Sequence, residues 1–160
     1  MDWWDQVTET VASEFQDVPD IAQLTRITLR LVLASVLGFL LGFEREHQGK
    51  AAGVRTHMLV AIGSALFVLV PQVTGIEADA MSRVIQGLVA GVGFLCAGTI
   101  LKSNDEQQVQ GLTTAAGLWM TAAIGMACGL GREATAVISA VLALAVLALV
   151  PRLMKVLGPR

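Results

Sequence analysis

Five long apolar stretches follow one another along the chain, separated by short polar segments. Each stretch approaches the roughly 20 apolar residues that a helix needs to cross a bilayer. Because lipid cannot hydrogen-bond to the backbone, such stretches satisfy their own N–H and C=O groups by forming helices. We therefore predict an all-α, polytopic membrane protein of about five transmembrane helices. The predicted spans are Ile27–Phe43, His57–Val73, Val84–Leu101, Leu112–Gly129 and Ala134–Val150.

The N-terminal segment has a different pattern, with apolar residues three or four positions apart and acidic residues between them. This spacing is typical of an amphipathic helix. Trp3 and Trp4 favour a position at the membrane interface, and Pro19 is expected to end the helix. A frayed tail is the alternative. The apolar positions are Trp4, Val7, Val11, Phe15 and Val18. We divide the chain into an amphipathic segment (1–25), a transmembrane domain (26–155) and a tail (156–160).

Composition supports the bilayer as the solvent. Of 160 residues, 54% are hydrophobic and 15% charged, which leaves no room for a second soluble domain beside five spans. The net charge of −2 and the scattered basic residues argue against a nucleic-acid partner. Cys96 and Cys128 lie in apolar runs without metal-ligand spacing, so we expect inert buried thiols.

The basic residues predict an orientation. Seven lie on the side that carries the first loop, the third loop and the tail, and four lie on the other side. By the positive-inside rule, the C-terminus is cytoplasmic and the acidic N-terminus is outside. The seven are Arg45, Lys50, Arg55, Lys102, Arg152, Lys155 and Arg160, and the four are Arg26, Arg30, Arg83 and Arg132.

Glycines in small-xxx-small pairs indicate close helix packing, because van der Waals contact holds helices together in lipid. Pairs occur at Gly38 and Gly42, at Gly87 and Gly91, and at Gly125 and Gly129. Packing within one chain is favoured for any single pair, and a homodimer seam is the alternative. The third span, which also contains Gly93 and Gly98, is predicted to be the central helix.

The loop between the first two spans is the richest polar segment. Glu44 and Glu46 offer the hard oxygen ligands that Mg²⁺ accepts, although a separation of two residues on a helix would point them to different faces, so a shared ion would require the helix to end there. The alternative is that Glu44, Arg45, Glu46 and Arg55 form ion pairs that join the loop to the helix ends. His57, next to Thr56 at the start of the second span, is expected to act as a hydrogen-bonding cap.

Arg30 must lie in or near the bilayer, because the 13 residues from Leu31 to Phe43 would span only about 20 Å. A functional charge and a side chain that snorkels to the interface are equally compatible with this position. Gln86, Thr113 and Thr114 stand near span ends, where caps and interhelical hydrogen bonds explain them.

From the second span to the fifth, no Asp, Glu, Lys or Arg lies well inside an apolar stretch. A proton-coupled carrier normally needs such groups. Neither a nucleotide-binding loop nor a GxSxG or HExxH motif is present, so we expect no enzyme.

Several short sequence blocks follow one another between Arg30 and Pro151. The blocks are Arg30-Leu31-x-Leu33-Ala34, Gly38 and Gly42 with Glu44-Arg45-Glu46, Ala52-Gly53-Val54-Arg55-Thr56-His57, Arg83-Val84-x-Gln86-Gly87, Gly91-Val92-Gly93-Phe94-Leu95-x-Ala97-Gly98 and Gly111-Leu112-Thr113-Thr114-Ala115-Ala116-x-Leu118-Trp119. In this order they resemble the MgtC/SapB family of bacterial inner-membrane proteins. Many members carry a C-terminal ACT-like domain that this sequence does not include, and Met120 stands where the family has a cysteine.

The resemblance implies a protein linked to growth at low Mg²⁺ and to survival inside host cells. It also implies a regulatory role on another inner-membrane protein as the rival of direct Mg²⁺ transport. Our leading hypothesis is a non-catalytic homodimer that serves Mg²⁺ homeostasis or membrane regulation through its polar cytoplasmic loop, with Mg²⁺ as the one candidate cofactor. The alternative is a passive Mg²⁺ or cation conductor, with Glu77 and Asp79 outside and Glu44 and Glu46 inside.

Overall fold

The computed structural model describes residues 2–14, 20–102 and 109–158. They form six helices, five of which are long and apolar enough to cross a membrane, as the sequence predicted. The helices are α1 (Trp3–Glu14), α2 (Ile21–His47), α3 (Val54–Val73), α4 (Ala78–Ala97), α5 (Leu112–Gly129) and α6 (Glu133–Val156). Two short strands, β1 (Leu101–Lys102) and β2 (Val109–Gln110), pair antiparallel between α4 and α5.

Helix α1 confirms the helical part of the amphipathic segment. None of its residues is buried, and the rings of Trp3 and Trp4 stack with centroids 3.9 Å apart. Phe15, Val18 and the predicted stop at Pro19 lie outside the described residues. An exposed helix with an aromatic end is compatible with a position on the membrane surface.

Helix α2 is longer than the predicted first span, because its start is fixed outside the apolar run. The Asp20 side chain accepts a hydrogen bond from the Gln23 N–H, which caps the helix at Ile21. The 27 residues of α2 extend about 40 Å, more than a hydrocarbon core of roughly 30 Å. Arg30 therefore lies more than two turns inside a continuous helix.

The prediction that the third span is central is wrong. Of the residues in an apolar 18-residue window of α4, 11% are buried, whereas 56% are buried in the corresponding window of α5. Helix α5 packs against α2, α3, α4 and α6. The prediction was based on the glycines of α4. A glycine allows close approach, but a neighbouring helix must also be present, and Gly87, Gly91 and Gly93 have none within 4 Å.

Alanines and other small residues fill the centre of the bundle. One buried cluster joins α2, α3, α5 and α6, and it includes Ala34, Leu41, Ala61, Ala65 and Ile124. A second cluster joins α4, α5 and the α2–α3 loop through Ala52, Val92, Cys96, Ala115, Leu118 and Ala122. Small side chains let the helix axes approach closely, which compensates for the missing hydrophobic drive in lipid.

Candidate functional site

The polar residues gather at the two ends of the bundle. Successive helices run in opposite directions, so the α2–α3 loop lies at the same end as the starts of α3 and α5. We call this end the loop end, and the other, which carries the starts of α2 and α6, the opposite end. Each end contains one buried or half-buried arginine.

At the loop end, Arg45 is buried in the α2 face that packs on the bundle, with 2% of its surface exposed. Its Nη1 lies 3.9 Å from Glu44 Oε2, too far for a hydrogen bond. His57, from the first turn of α3, is fully buried, and its Nδ1 lies 3.0 Å from the Gly53 carbonyl oxygen. We call Glu44, Arg45 and His57 the Arg45 cluster.

The histidine tautomer follows from this hydrogen bond. A carbonyl oxygen only accepts, so Nδ1 of His57 must donate. In the neutral ring, Nε2 is then an acceptor. The cap that the sequence assigned to His57 is made instead by Glu46, whose Oε2 accepts from the Val54 N–H at 2.8 Å.

Glu46 also lines a polar cavity of about 260 Å³ at the start of α3, which we call the α3 N-terminal cavity. Lys50 and Arg55 are exposed, and Thr56 is half-buried. The cavity therefore combines two cationic side chains with a helix N-terminus, both of which attract negative charge. Its lining is Glu46, Lys50, Ala51, Gly53, Val54, Arg55 and Thr56.

The two candidate Mg²⁺ ligands do not converge. Glu44 Oε1 accepts from the Gln48 side chain and Oε2 faces Arg45, whereas Glu46 is bound to the backbone of α3. The described residues contain no group of three or more His, Cys, Asp or Glu side chains placed to hold a metal. The two carboxylates do not share a site in this arrangement, and the assignment of Glu44 and Glu46 as Mg²⁺ ligands stays a prediction.

At the opposite end, Arg30 joins four helices. Its Nη1 donates to Gln72 Oε1 at 2.9 Å and to the Gly129 carbonyl oxygen at 3.1 Å. Its Nε lies 3.5 Å from Glu133 Oε1. We call these four residues the Arg30 cluster. The helix dipole of α5 favours a cation at its C-terminal end. The sequence left open whether Arg30 is a functional charge or a side chain that snorkels to the interface. In the structure its guanidinium has partners on three other helices.

Two of the three glycine pairs hold α3 between α2 and α5. A Cβ atom on Gly38 would lie 2.8 Å from the His57 carbonyl oxygen, and one on Gly42 would lie 2.6 Å from Val54 Cα. Cβ atoms on Gly125 and Gly129 would overlap the backbone of α3 at Ala61 and Ala65. These pairs pack within the chain, as the sequence favoured. Gly87, Gly91 and Gly93 have no such neighbour within 4 Å, and Gly98 meets only its own helix end.

The remaining predicted site residues are spread over both ends. Arg83 and Gln86 are exposed on the first turns of α4. Thr114 is 4% exposed at the start of α5, and Thr113 lines an apolar groove between α2, α5 and α6. Cys96 and Cys128 are free and buried, and Cys96 Sγ lies 3.1 Å from the Ala115 carbonyl oxygen.

Sequence reasoning missed the partners of Arg30 and two buried hydroxyl residues. Gln72 and Glu133 stand at span ends, where polar residues are ordinary, and nothing in the sequence signals that Arg30 reaches them. Ser64 and Thr121 lie inside predicted spans with 2% and 0% of their surfaces exposed, and Thr121 bonds to the Gly117 carbonyl oxygen at 2.8 Å. Polar residues within apolar stretches are the signal that could have found them.

Five antiparallel spans with polar residues at both ends define a multi-pass helical membrane protein. Comparison with known sequences makes this specific: the family model of the MgtC family matches residues 31–156, and the chain belongs to that family. Its bacterial relatives and its spans make it a protein of the bacterial inner membrane. No solved structure matches the chain.

Three relatives illustrate the similarity. Protein SrpB of Synechococcus elongatus is 47% identical over 116 residues, which cover 66% of this chain and 64% of SrpB. The putative magnesium transporter YhiD of Escherichia coli is 42% identical over 126 residues, 74% of this chain and 58% of YhiD. Protein MgtC of Salmonella typhimurium is 41% identical over 116 residues, 72% of this chain and 48% of MgtC. The chain thus spans about half to two thirds of these relatives.

Proposed function

We propose that this chain is a non-catalytic membrane protein that supports Mg²⁺ homeostasis and membrane regulation through its loop end. The observation that supports this proposal most directly is the α3 N-terminal cavity, a polar, charged surface placed on a closely packed apolar bundle. The printed name of YhiD, a putative magnesium transporter, supports the link to Mg²⁺. The loop end would face the cytoplasm, where it meets another inner-membrane protein.

The apolar core favours regulation over conduction. Ala61, Ala65 and Ile124 lie at the centre with at most 1% of their surfaces exposed, and the α3 and α5 backbones approach each other at Gly125. A hydrated ion needs polar groups or water along its path. Within the described residues the buried polar groups beside this core are few, such as Ser64 and Thr121, and the helices are closely packed, so a conducting path through one copy would require the helices to separate.

A flux assay tests this proposal. The purified chain is reconstituted into liposomes that enclose a Mg²⁺-sensitive dye, and an external Mg²⁺ pulse is expected to give no flux above empty vesicles. Robust flux that Glu44→Ala or Glu46→Ala abolishes, and that the exposed control Glu9→Ala on α1 leaves intact, would overturn it in favour of a cation conductor.

The regulatory half of the proposal needs a cellular readout. In a deletion strain grown over a series of Mg²⁺ concentrations, the chain is expected to restore growth at low Mg²⁺. Arg30→Gln, Glu44→Gln, Arg55→Gln and Gln86→Ala are expected to weaken that rescue. Full rescue by all four variants, at equal membrane abundance, would show that the assigned residues are wrong.

We also propose that two copies associate through α4. Its glycine face lines an apolar groove of about 390 Å³ with Phe67, Val84, Leu88, Val92 and Leu95, and no described residue covers Gly87 or Gly91. The other two glycine pairs are already used inside the chain. The α4 helix of a second copy would make close van der Waals contacts with this face, which lipid tails cannot make.

A further inference from the structure

Four polar atoms of the Arg45 cluster are buried without a hydrogen-bond partner among the described residues. They are Nε and Nη2 of Arg45, Oε2 of Glu44 and Nε2 of His57. Buried polar groups are nearly always paired, because an unpaired group loses its bonds to water and gains none. Four such atoms on three neighbouring side chains are therefore candidates for contact with a bound group.

The atoms belong to one neighbourhood. Arg45 follows Gly42 by one helical turn, and a Cβ atom on Gly42 would lie 3.0 Å from His57 Cβ. Arg45 is also close enough for its charge to act on His57, and its Nη1 faces Glu44. The three side chains are therefore neighbours at the junction of α2 and α3.

The unpaired atoms of Arg45 specify an oxyanion. Nε and Nη2 form one edge of the planar guanidinium, and their N–H bonds point the same way. This fork matches two oxygens of one carboxylate or phosphate group. A single water molecule would satisfy only part of it.

The other two atoms select among oxyanions, because both are acceptors. Glu44 Oε2 accepts as a carboxylate, and His57 Nε2 accepts because Nδ1 donates to the Gly53 carbonyl. Their partner must carry O–H groups. Dihydrogen phosphate has two bare oxygens for the fork and two P–OH groups for the acceptors, whereas sulfate and carboxylate have no O–H to donate.

We propose that the Arg45 cluster is a binding site for a protonated phosphate group. Gly53 lines the α3 N-terminal cavity and its carbonyl oxygen accepts from His57, so Lys50 and Arg55 of that cavity attract an anion to this region. The group could come from inorganic phosphate, whose two P–OH groups serve both acceptors, or from the protonated monoester headgroup of phosphatidate, whose single P–OH would serve one of them. This inference does not rest on the proposed function. The flux assay measures Mg²⁺ in the absence of phosphate, so its result and the result of a phosphate-binding measurement can be told apart.

Isothermal titration of the full chain in detergent tests the proposal, with inorganic phosphate and sulfate as probes of the same shape. Phosphate is expected to bind at least tenfold more tightly, because sulfate leaves Glu44 and His57 without donors. Equal affinities, or no binding of phosphate, would overturn the proposal and leave water as the partner of these atoms.

Three variants locate the site. Arg45→Lys, which keeps the charge but loses the fork, is expected to weaken phosphate binding at least tenfold, and the exposed control Arg26→Lys is expected to leave it unchanged. Glu44→Gln replaces an acceptor by an amide that can donate, so the preference for phosphate over sulfate should fall several-fold. That ratio still tests the site if Arg45→Lys fails to fold, and an unchanged ratio would contradict it.

Vesicles distinguish the two sources. If phosphatidate vesicles compete with inorganic phosphate and phosphatidylglycerol vesicles do not, the site is confirmed with a lipid headgroup as its source. If neither lipid competes while phosphate binding depends on Arg45, it is confirmed with free phosphate. Competition by phosphatidylglycerol, a diester without a P–OH group, would overturn the assignment of Glu44 and His57.

Discussion

Arg30 shows what a charge at membrane depth requires. Its guanidinium reaches a side-chain amide on α3, a backbone carbonyl at the end of α5 and a carboxylate on α6. Gly131, with φ +72°, allows this approach, because a Cβ atom there would overlap the guanidinium. These contacts join helices that are distant in sequence, so we assign Arg30 a stabilising role.

Arg30→Gln is expected to lower the unfolding free energy by about 1.5–3 kcal/mol, because hydrogen bonds to charged groups contribute that much. Thermal unfolding in detergent, followed by tryptophan fluorescence, measures the change. The control is Arg26→Gln, an exposed arginine on the same helix. If both variants unfolded at the same temperature, the contacts of Arg30 would contribute nothing to the unfolding free energy.

Gly125 lies at a close approach of α5 to α3. Gly125→Ala is expected to cost about 1–3 kcal/mol, because the added Cβ would overlap the Ala61 carbonyl oxygen and force the helices apart. Gly63→Ala, at a helical glycine with open space around it, is the matched control. Melting temperatures that fall equally in both variants would argue against this contact.

At the scale of elements, α3 is held in place by contacts from both α2 and α5. Glu46 at the end of α2 caps its start, glycines of α2 and α5 contact its sides, and Gln72 near its end binds Arg30. The first turn of α3 also provides His57 and the cavity. A shift of α3 would therefore change both polar clusters together.

The α4 face carries the prediction about association. Gly91→Leu is expected to convert dimers to monomers in mild detergent, because the large side chain would block the close approach of two α4 helices. Gly63→Leu, an open glycine on α3, should leave the dimer intact. Size-exclusion chromatography with light scattering measures both, and a wild-type chain that is monomeric throughout would refute the α4 seam.

The hairpin between α4 and α5 was not predicted from the sequence. Leu101 pairs with Gln110 and Lys102 with Val109, which closes the connection just before α5. Gly111, with φ +92°, makes the turn into α5, and a Cβ there would overlap the Thr99 carbonyl oxygen. Two-residue strands are too short for their alternation to be recognised in a sequence.

For the whole molecule, the charge asymmetry predicts which end is inside. Lys50→Cys, at the loop end, should react with a membrane-impermeant maleimide only after the cells are opened, whereas Glu77→Cys should react in intact cells. The native cysteines are buried, so their background is expected to be small. Labelling of Lys50→Cys in intact cells would reverse the proposed orientation.

The sequence alone determined the solvent, the number of spans and the positions of most polar groups. Backbone polar groups in lipid must be satisfied within each helix, and this local requirement appears directly as long apolar stretches such as Leu112–Gly129. The N-terminal extensions of α2, α3 and α4 were not visible, since caps and polar turns outside the apolar runs set those starts.

Only the tertiary structure decided which helix is central, which glycines have neighbours and which partners each charge finds. These properties depend on groups far apart in the chain, such as Arg30 and Gly129, or Gly125 and Ala61. A glycine on α4 looks the same in sequence as one on α5, because the contact that distinguishes them belongs to another helix. For the same reason, the unpaired edge of Arg45 became visible only once the helices were packed.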